Sequence, residues 1–145
     1  MNTNVNVGSV MTPLPRTVDV DTPLRAAREL MRQRGIRHLP VRGGDGVVGL
    51  LSDRDLKRAL NPDLGLPPMD ELFVGDVAVF DAHTVGEDTP LWQVVGDMAD
   101  LQIGSVLVER DEDLVGIFTA TDACRLLGEY LRDGEDLDDD PSSAT

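Results

Sequence analysis

Two segments of this 145-residue chain place a hydroxyl and a carboxylate three residues apart, directly after an apolar run. Residues 49–55 are GLLSDRD and residues 116–122 are GIFTATD, so Ser52 precedes Asp55 as Thr119 precedes Asp122. At the start of a helix this pattern forms a capping box, in which both side chains satisfy unpaired backbone N–H groups. The same groups suit a nucleotide, because a helix N-terminus binds phosphate and a carboxylate accepts hydrogen bonds from ribose hydroxyls. Both interpretations remain open on these residues alone.

The two segments belong to an internal repeat with a constant offset of 67 residues. Thr22-Pro23-Leu24 recurs as Thr89-Pro90-Leu91, and the same offset relates Val48-Gly49 to Val115-Gly116. Ungapped agreement over about 54 positions predicts two copies of one supersecondary unit. We predict repeat 1 at residues 7–60, a linker rich in Pro and Gly at 61–73, and repeat 2 at 74–127. An acidic tail, expected to be disordered, follows at 128–145.

Each copy has the pattern of a β-α-β-β-α unit, which predicts an α+β fold. Thr22 is expected to cap a helix that begins with Pro23 and ends at Gly35. Two β-type segments joined by a polar turn follow, and a second helix is predicted from Ser52 to about Leu60, or from Thr119 to about Leu127. A unit of about 55 residues buries little core alone. We therefore expect the copies to pack with pseudo-twofold symmetry.

Composition excludes several classes of protein. The net charge of −14 opposes binding to nucleic acid or to anionic lipid. One cysteine and two histidines provide neither a disulfide nor a zinc cluster, so no metal site is predicted. Without a run of about 18 apolar residues or the pattern of a signal peptide, we expect a cytoplasmic protein that does not enter the membrane.

The charge is unevenly distributed along the chain. Residues 1–61 carry 10 basic and 6 acidic side chains, a net charge of +4, whereas residues 62–145 carry 3 and 21, a net charge of −18. Only the first half is therefore expected to attract an anionic ligand.

The chain resembles tandem CBS domains, the regulatory pairs also called Bateman modules, over about residues 7–127. The resemblance rests on VMTP at residues 10–13, GIRHLPV at 35–41 and GLLSDRDL at 49–56. The second copy departs from the pattern, since Ala78-Val79-Phe80 replaces the opening motif and Gly104-Ser105 stands where Arg37-His38 stand in the first. It keeps Thr119-Ala120-Thr121-Asp122.

The resemblance implies ligand sites in clefts between the copies, where adenine nucleotides bind. By position, Asp55 and Asp122 would hold ribose hydroxyls, while Ile36 and Ile103 would border the base. Ser52, Arg54, Thr119 and Thr121 would lie near ribose or phosphate. Arg37 and His38 match positions where the family often has a basic phosphate contact, and Arg16 lies in the segment that would line the opposite cleft. The alternative for each Arg is an ordinary solvated surface charge, and for His38 a histidine at the sheet edge.

We therefore expect a regulatory module, not an enzyme, because no nucleophile-base pair or Walker-type phosphate loop is present. The expected ligand is AMP, ADP or ATP, with S-adenosylmethionine and NAD as further candidates, and no cofactor is required. The resemblance implies a stand-alone pair that forms a homodimer and regulates another, unidentified polypeptide. The alternative function is a ligand-free module for dimerisation and protein interaction.

Overall fold

The computed structural model of the chain describes residues 4–13, 17–43, 48–80 and 82–134. The predicted order β-α-β-β-α is confirmed in both repeats, and in repeat 1 a short helix and a short strand precede it. The helices and strands are α1 (Val7–Val10), β1 (Thr12–Pro13), β2 (Val18–Asp19), α2 (Leu24–Arg34), β3 (His38–Arg42), β4 (Val48–Ser52), α3 (Asp53–Ala59), β5 (Thr84–Gly86), α4 (Leu91–Leu101), β6 (Ser105–Arg110), β7 (Asp113–Thr119) and α5 (Ala120–Asp133). Short 3-10 turns lie at Pro62–Leu64, Met69–Glu71 and Val74–Asp76.

The chain forms two compact units that do not coincide with the predicted repeats. The first unit holds residues 15–82, and the second holds residues 1–14 together with 83–145. Each repeat contributes its opening segment to the unit that the other repeat forms. The backbone N–H of Val7 donates to the carbonyl of Thr89 (2.9 Å), and that of Val74 donates to the carbonyl of Thr22 (2.8 Å). The opening segment of each repeat therefore packs with the body of the other repeat.

The first unit is built on a three-stranded sheet in the order β2-β3-β4. Strand β2 is parallel to β3, whereas β3 and β4 are antiparallel with Leu39 opposite Leu51. Its buried core includes Leu24, Met31, Leu39, Leu51 and Leu56, which explains why these positions are apolar.

The segment at residues 61–73 is more than the linker that its composition suggested. Met69 and Leu72 are buried in the core of the first unit, and the carbonyl of Leu72 accepts a hydrogen bond from the backbone N–H of Leu24 (2.9 Å). Composition indicates turns here correctly but carries no signal for this long-range packing.

The second unit has a four-stranded sheet in the order β1-β7-β6-β5. Strands β6 and β7 are antiparallel, β5 is parallel to β6, and β1 from the N-terminal segment adds to the free edge of β7. One cluster of its core contains six buried side chains: Val7, Val94, Met98, Val106, Val108 and Phe118.

Helices α2 and α4 each start one residue later than predicted. Pro23 and Pro90, not the preceding threonines, occupy the N-cap positions, and neither helix has a side-chain cap. A proline ring suits this place because it fixes φ near −60° and has no N–H to leave unsatisfied. Gly35 ends α2 in the left-handed region at φ 64°, as predicted.

Helix α5 corrects the predicted start of the tail. It continues past Leu127 to Asp133 and ends at Gly134, which adopts the left-handed conformation at φ 63°. Leu131 continues the helical spacing of Cys124 and Leu127, and the left-handed C-cap is supplied by Gly134 and not by Gly128. The prediction of disorder from residue 128 is therefore wrong for 128–133, and residues 135–145 lie outside the described part of the chain.

Across the described ranges, none of the helices has the length and apolar character needed to cross a bilayer.

Candidate functional site

The turn between β4 and α3 forms the predicted capping box. The backbone N–H of Asp55 donates to Ser52 Oγ (3.0 Å), while the backbone N–H and the hydroxyl of Ser52 donate to Asp55 Oδ2 (3.0 and 2.8 Å). The box satisfies backbone N–H groups that the helix itself leaves unpaired.

The turn between β7 and α5 repeats the two backbone hydrogen bonds of this box. The backbone N–H of Asp122 donates to Thr119 Oγ1 (3.1 Å), and the backbone N–H of Thr119 donates to Asp122 Oδ2 (2.9 Å). Capping at both turns is confirmed, and the hydroxyl and carboxylate are held in fixed positions in each.

The two carboxylates differ in their remaining acceptor capacity. Arg125, one helical turn further along α5, donates to Asp122 Oδ1 (3.2 Å). The corresponding Oδ1 of Asp55 has no hydrogen-bond or ion-pair partner among the described residues. An ionised carboxylate offers about four acceptor sites. Asp55 is therefore the more available of the two to an external donor.

The first turn is surrounded by predicted phosphate-binding residues. The carbonyl of Arg37 accepts a hydrogen bond from the backbone N–H of Asp53 (2.8 Å), and His38 lies opposite Ser52 in the β3–β4 register. Arg37 and Arg54 are exposed, and within the described ranges neither forms an ion pair. The backbone of Arg37 and His38 therefore lies next to the turn at Ser52, while Ile36 and Arg37 also line a groove between α2 and α3 that includes Asp53 and Lys57.

The second turn has neither cation. Gly104 occupies the place of Arg37, with its carbonyl accepting from the backbone N–H of Ala120 (2.8 Å), and Thr121 occupies the place of Arg54. Ile103 is half-buried against the core of the second unit, whereas the corresponding Ile36 is exposed. Arg16, also predicted at a ligand site, lies outside the described residues.

Two residues beside the first turn were not predicted as site residues. Val79 forms two backbone hydrogen bonds with Leu50 (2.8 and 2.9 Å), and Phe80 lies against Gly49. A Cβ at Gly49 would lie 2.7 Å from the Phe80 ring and 2.8 Å from the Val79 carbonyl, so glycine permits this approach. Both Val79 and Phe80 are exposed.

The second unit has the equivalent contact. Thr12–Pro13 pairs with Gly116–Ile117 in the β1–β7 ladder. Gly49 in β4 and Gly116 in β7 occupy equivalent positions. A glycine inside a strand indicates that another segment approaches closely, and this was the available signal in the sequence.

No three His, Cys, Asp or Glu side chains of the described ranges group closely enough to hold a metal ion. The arrangement at both turns instead offers hydrogen-bond acceptors next to a helix N-terminus, and at the first turn it adds unpaired cations.

Comparisons with known proteins agree with this architecture. A family model described as CBS domain matches residues 7–62 and again residues 74–129. Among curated proteins, an inosine-5'-monophosphate dehydrogenase from Thermoplasma acidophilum is 32% identical over 107 residues, which cover 73% of this chain and 20% of the relative. The chain spans 12 to 27% of the length of the curated relatives it matches.

Several solved structures share the fold. An uncharacterized conserved protein from Pyrococcus horikoshii has a TM-score of 0.73 at 27% identity, with 87% of this chain and 94% of that chain covered. The CBS domain pair of protein MJ0100, in complex with 5'-methylthioadenosine and S-adenosyl-L-methionine, has a TM-score of 0.75 at 24% identity (87 and 98% covered). CBSX2 in complex with AMP has a TM-score of 0.68 at 23% identity (87 and 98% covered).

The family match covers both repeats of the chain, and the solved structures reproduce their α+β fold over most of its length. The chain belongs to the CBS domain family and carries two CBS domains in tandem.

Proposed function

We propose that the protein is a non-catalytic regulatory module that binds AMP, ADP or ATP. The observation that carries the proposal is the first turn, where an acceptor oxygen of Asp55 without a partner in the described ranges lies beside the unpaired Arg37 and Arg54. A ribose diol supplies the donors that this carboxylate can accept, and a phosphate supplies the charge that the guanidinium groups attract.

Two related structures support the adenosine part of the ligand. MJ0100 was solved with two adenosine derivatives and CBSX2 with AMP. The adenine and ribose common to these ligands match the acceptor pattern of the turns, while Ile36 and the adjacent backbone provide an apolar border for a base. S-adenosylmethionine and NAD contain the same adenosine and remain further candidates.

We propose different roles for the two turns. Ser52, Asp55, Arg54, Arg37 and His38 would bind the ribose and phosphates of a charged nucleotide. At the second turn Thr119, Thr121, Asp122 and Ile103 would bind a ribose and base with less contribution from phosphate, because no cation replaces Arg37 or Arg54 there. Arg16 is proposed as a further phosphate contact.

The regulatory part of the proposal requires a conformational response. A ligand can shift an equilibrium between two arrangements only by its difference in affinity for them. We propose that nucleotide binding changes the arrangement of the two units, that the module acts in the cytoplasm on another protein, and that it pairs with a second copy. Small-angle scattering with and without saturating nucleotide tests the response, and identical profiles would exclude it.

The test of binding is a thermal-shift and calorimetric screen against AMP, ADP, ATP with and without Mg²⁺, S-adenosylmethionine and NAD. A ligand at about 100 times its Kd should stabilise the folded protein by about 2.7 kcal/mol. The screen is repeated with Asp55→Ala and Asp122→Ala. Saturable binding that weakens in one or both variants is the expected result.

A matched control separates binding from helix capping. Asp76 makes the same type of capping bond, accepting from the backbone N–H of Phe73 (2.9 Å), and it lies on the 3-10 turn Val74–Asp76, outside the proposed site. Asp76→Ala should lower stability and leave nucleotide affinity unchanged. If no nucleotide bound at millimolar concentration, the ligand-free interaction module would become the preferred function.

A further inference from the structure

A groove of about 440 Å³ lies between α2 and α3 on the first unit. Its floor is apolar, with Met31 and Leu56 buried and with Ile36 and Leu60 exposed at 37% and 42%. Its charged lining consists of four cations and one carboxylate: Arg28, Arg32, Arg37, Lys57 and Asp53. An apolar floor between cations favours a ligand that combines an apolar group with several negative charges.

Most of the positive charge in the groove is not neutralised by the first unit itself. Lys57 pairs with Asp53 (3.1 Å), and Arg32 has only a long contact of 3.8 Å to a carboxylate on its own helix. Arg28 and Arg37 form no ion pair within the described ranges. The charged lining therefore has a net charge of +3, and at least two of its guanidinium groups are free to bind an anion.

The same positions in the second unit carry no charge. The repeat offset of 67 places neutral residues at all five of them: Val95, Ala99, Gly104, Cys124 and Ala120. Helices α4 and α5 nevertheless form in the same order and follow equivalent strands, so the repeat does not need these cations in order to fold. The cations are therefore a property of this groove and not of the repeat.

A segment with matching chemistry follows α5 in the sequence. Residues 135–140 are EDLDDD, which places five carboxylates around Leu137. In an extended segment alternate side chains point to the same side, so Glu135, Leu137 and Asp139 would share one side at a spacing of about 7 Å. An apolar side chain with a negative charge on either side of it complements an apolar floor with cations on its rim.

We infer that residues 135–140 bind in the α2–α3 groove of the same chain. Leu137 would contact the apolar floor, and the flanking carboxylates would pair with Arg28 and Arg37. A tethered segment has an effective concentration of about 1 mM, so a Kd of about 0.1 mM is enough to keep it docked about 90% of the time. A free segment of the same affinity would bind little at ordinary protein concentrations.

Docking of the tail does not require a nucleotide, but its consequence rests on the proposed function. Arg37 lines the groove and is also proposed as a phosphate contact at the first turn. The tail and ATP would therefore compete for Arg37, and each should weaken the binding of the other by the same factor. The acidic tail would thus act as an internal inhibitor of nucleotide binding.

The test follows the tail by paramagnetic relaxation in the full-length chain, without nucleotide. A nitroxide is attached to Ser143→Cys in the Cys124→Ser background, where it occupies the sole thiol. The amide signals of α2 and α3 should lose about half of their intensity or more, because a tail docked about 90% of the time keeps the label near them. A second sample mixes ¹⁵N-labelled chain without the nitroxide and ¹⁴N chain that carries it. Its signals should not change, since only docking between chains affects them.

Two pairs of substitutions on the same helices distinguish the groove from a general attraction of charges. Arg28→Gln with Arg32→Gln removes two cations of the lining, whereas Arg34→Gln with Arg58→Gln removes two exposed cations outside it. The first pair should restore the signals, and the second should leave the loss unchanged. Leu137→Ser keeps every charge and lies outside both cores, and it should also reduce the loss.

Three results would overturn the inference: no loss of intensity in α2 and α3, a loss in the mixed sample as large as in the single sample, or equal effects of the two arginine pairs. Thermal melting verifies that each variant is folded. Adding ATP should restore the signals, and a loss that bound ATP does not relieve would overturn the competition for Arg37. Because docking is measured without nucleotide, its failure leaves the proposed ligand function intact.

Discussion

The turns at Ser52 and Thr119 have the same backbone and different surroundings. Each joins a strand to a helix through a capping box with hydrogen bonds of 2.8 to 3.1 Å. The first lies beside Arg37 and Arg54, whereas the second has Gly104 and Thr121 at those positions and an arginine, Arg125, on its carboxylate.

The difference between the two turns distinguishes residues that stabilise the fold from residues proposed to bind a ligand. A capping box stabilises a helix wherever it occurs, so its presence in both units needs no ligand. Arg37 and Arg54 are exposed and form no ion pair within the described ranges, so they are free to bind an external anion, which is the role proposed for them. The first turn is therefore the place where binding and stability can be measured apart.

The largest expected effect is a difference between the two aspartates. Asp55→Ala should weaken ATP binding on the order of 100-fold, since two lost hydrogen bonds to a charged group contribute about 1.5 kcal/mol each. Asp122→Ala should weaken it by less than about tenfold, because Arg125 already occupies part of its acceptor capacity. Calorimetry of both variants at one ionic strength gives the ratio of their ATP affinities. Equal losses of affinity would show that the two turns do not differ in ATP binding.

Exchanging the cation between the turns should change affinity by about tenfold, which corresponds to about 1.4 kcal/mol. Arg37→Gly should weaken ATP binding, while Gly104→Arg should strengthen it, and a Cβ at Gly104 would have no atom within 4 Å. Adenosine serves as the control ligand because it has no phosphate. A change in adenosine affinity as large as that for ATP would contradict a role in phosphate binding.

Removing the capping hydroxyl should have equal effects in the two units. Ser52→Ala and Thr119→Ala should each lower the free energy of unfolding by about 1 kcal/mol, the usual cost of a lost N-cap side chain. Urea denaturation monitored by circular dichroism measures both. A cost at one turn more than twice that at the other would show that the caps are not equivalent.

The smallest expected effect comes from releasing the carboxylate of the second turn. Arg125→Gln removes an exposed ion pair, which is worth less than about 1 kcal/mol, and frees Asp122 Oδ1. Adenosine affinity should rise by about two- to threefold if ribose binds there. Arg132→Gln in the same helix is the matched control, and an equal rise in both variants would indicate a general charge effect.

Local features of the fold followed from the sequence with few errors. The repeat offset of 67 residues correctly predicted corresponding helices and strands. The spacing of a hydroxyl and a carboxylate three residues apart correctly predicted both capping boxes. The errors were local too: Pro23 replaces Thr22 as N-cap, and α5 continues to Asp133. Helix ends depend on one or two residues, so small differences in capping energy move them.

The candidate site was predicted in part. Arg37, His38, Ser52, Arg54 and Asp55 lie together because they are close in sequence or adjacent in the β3–β4 hairpin. Val79 and Phe80 also lie beside this hairpin, but they are about 30 residues away in the chain, and nothing in their own periodicity indicates which strand they approach.

The sequence by itself determined the two repeats, their order of helices and strands, the two capping boxes and the uneven charge. Capping and periodicity depend on residues within one or two turns, whereas the repeat and the charge are visible directly in the order of the residues. Only the tertiary structure decided that residues 4–13 pack with the body of the second repeat and residues 74–80 with the body of the first. The opening segments stand at equivalent positions of the two repeats and share Val7, Gly8 and Val10 with Val74, Gly75 and Val77, so their own residues do not indicate which sheet each one joins. Long-range hydrogen bonds and burial of Val7 and Val74 select the partner, and such contacts have no local signature.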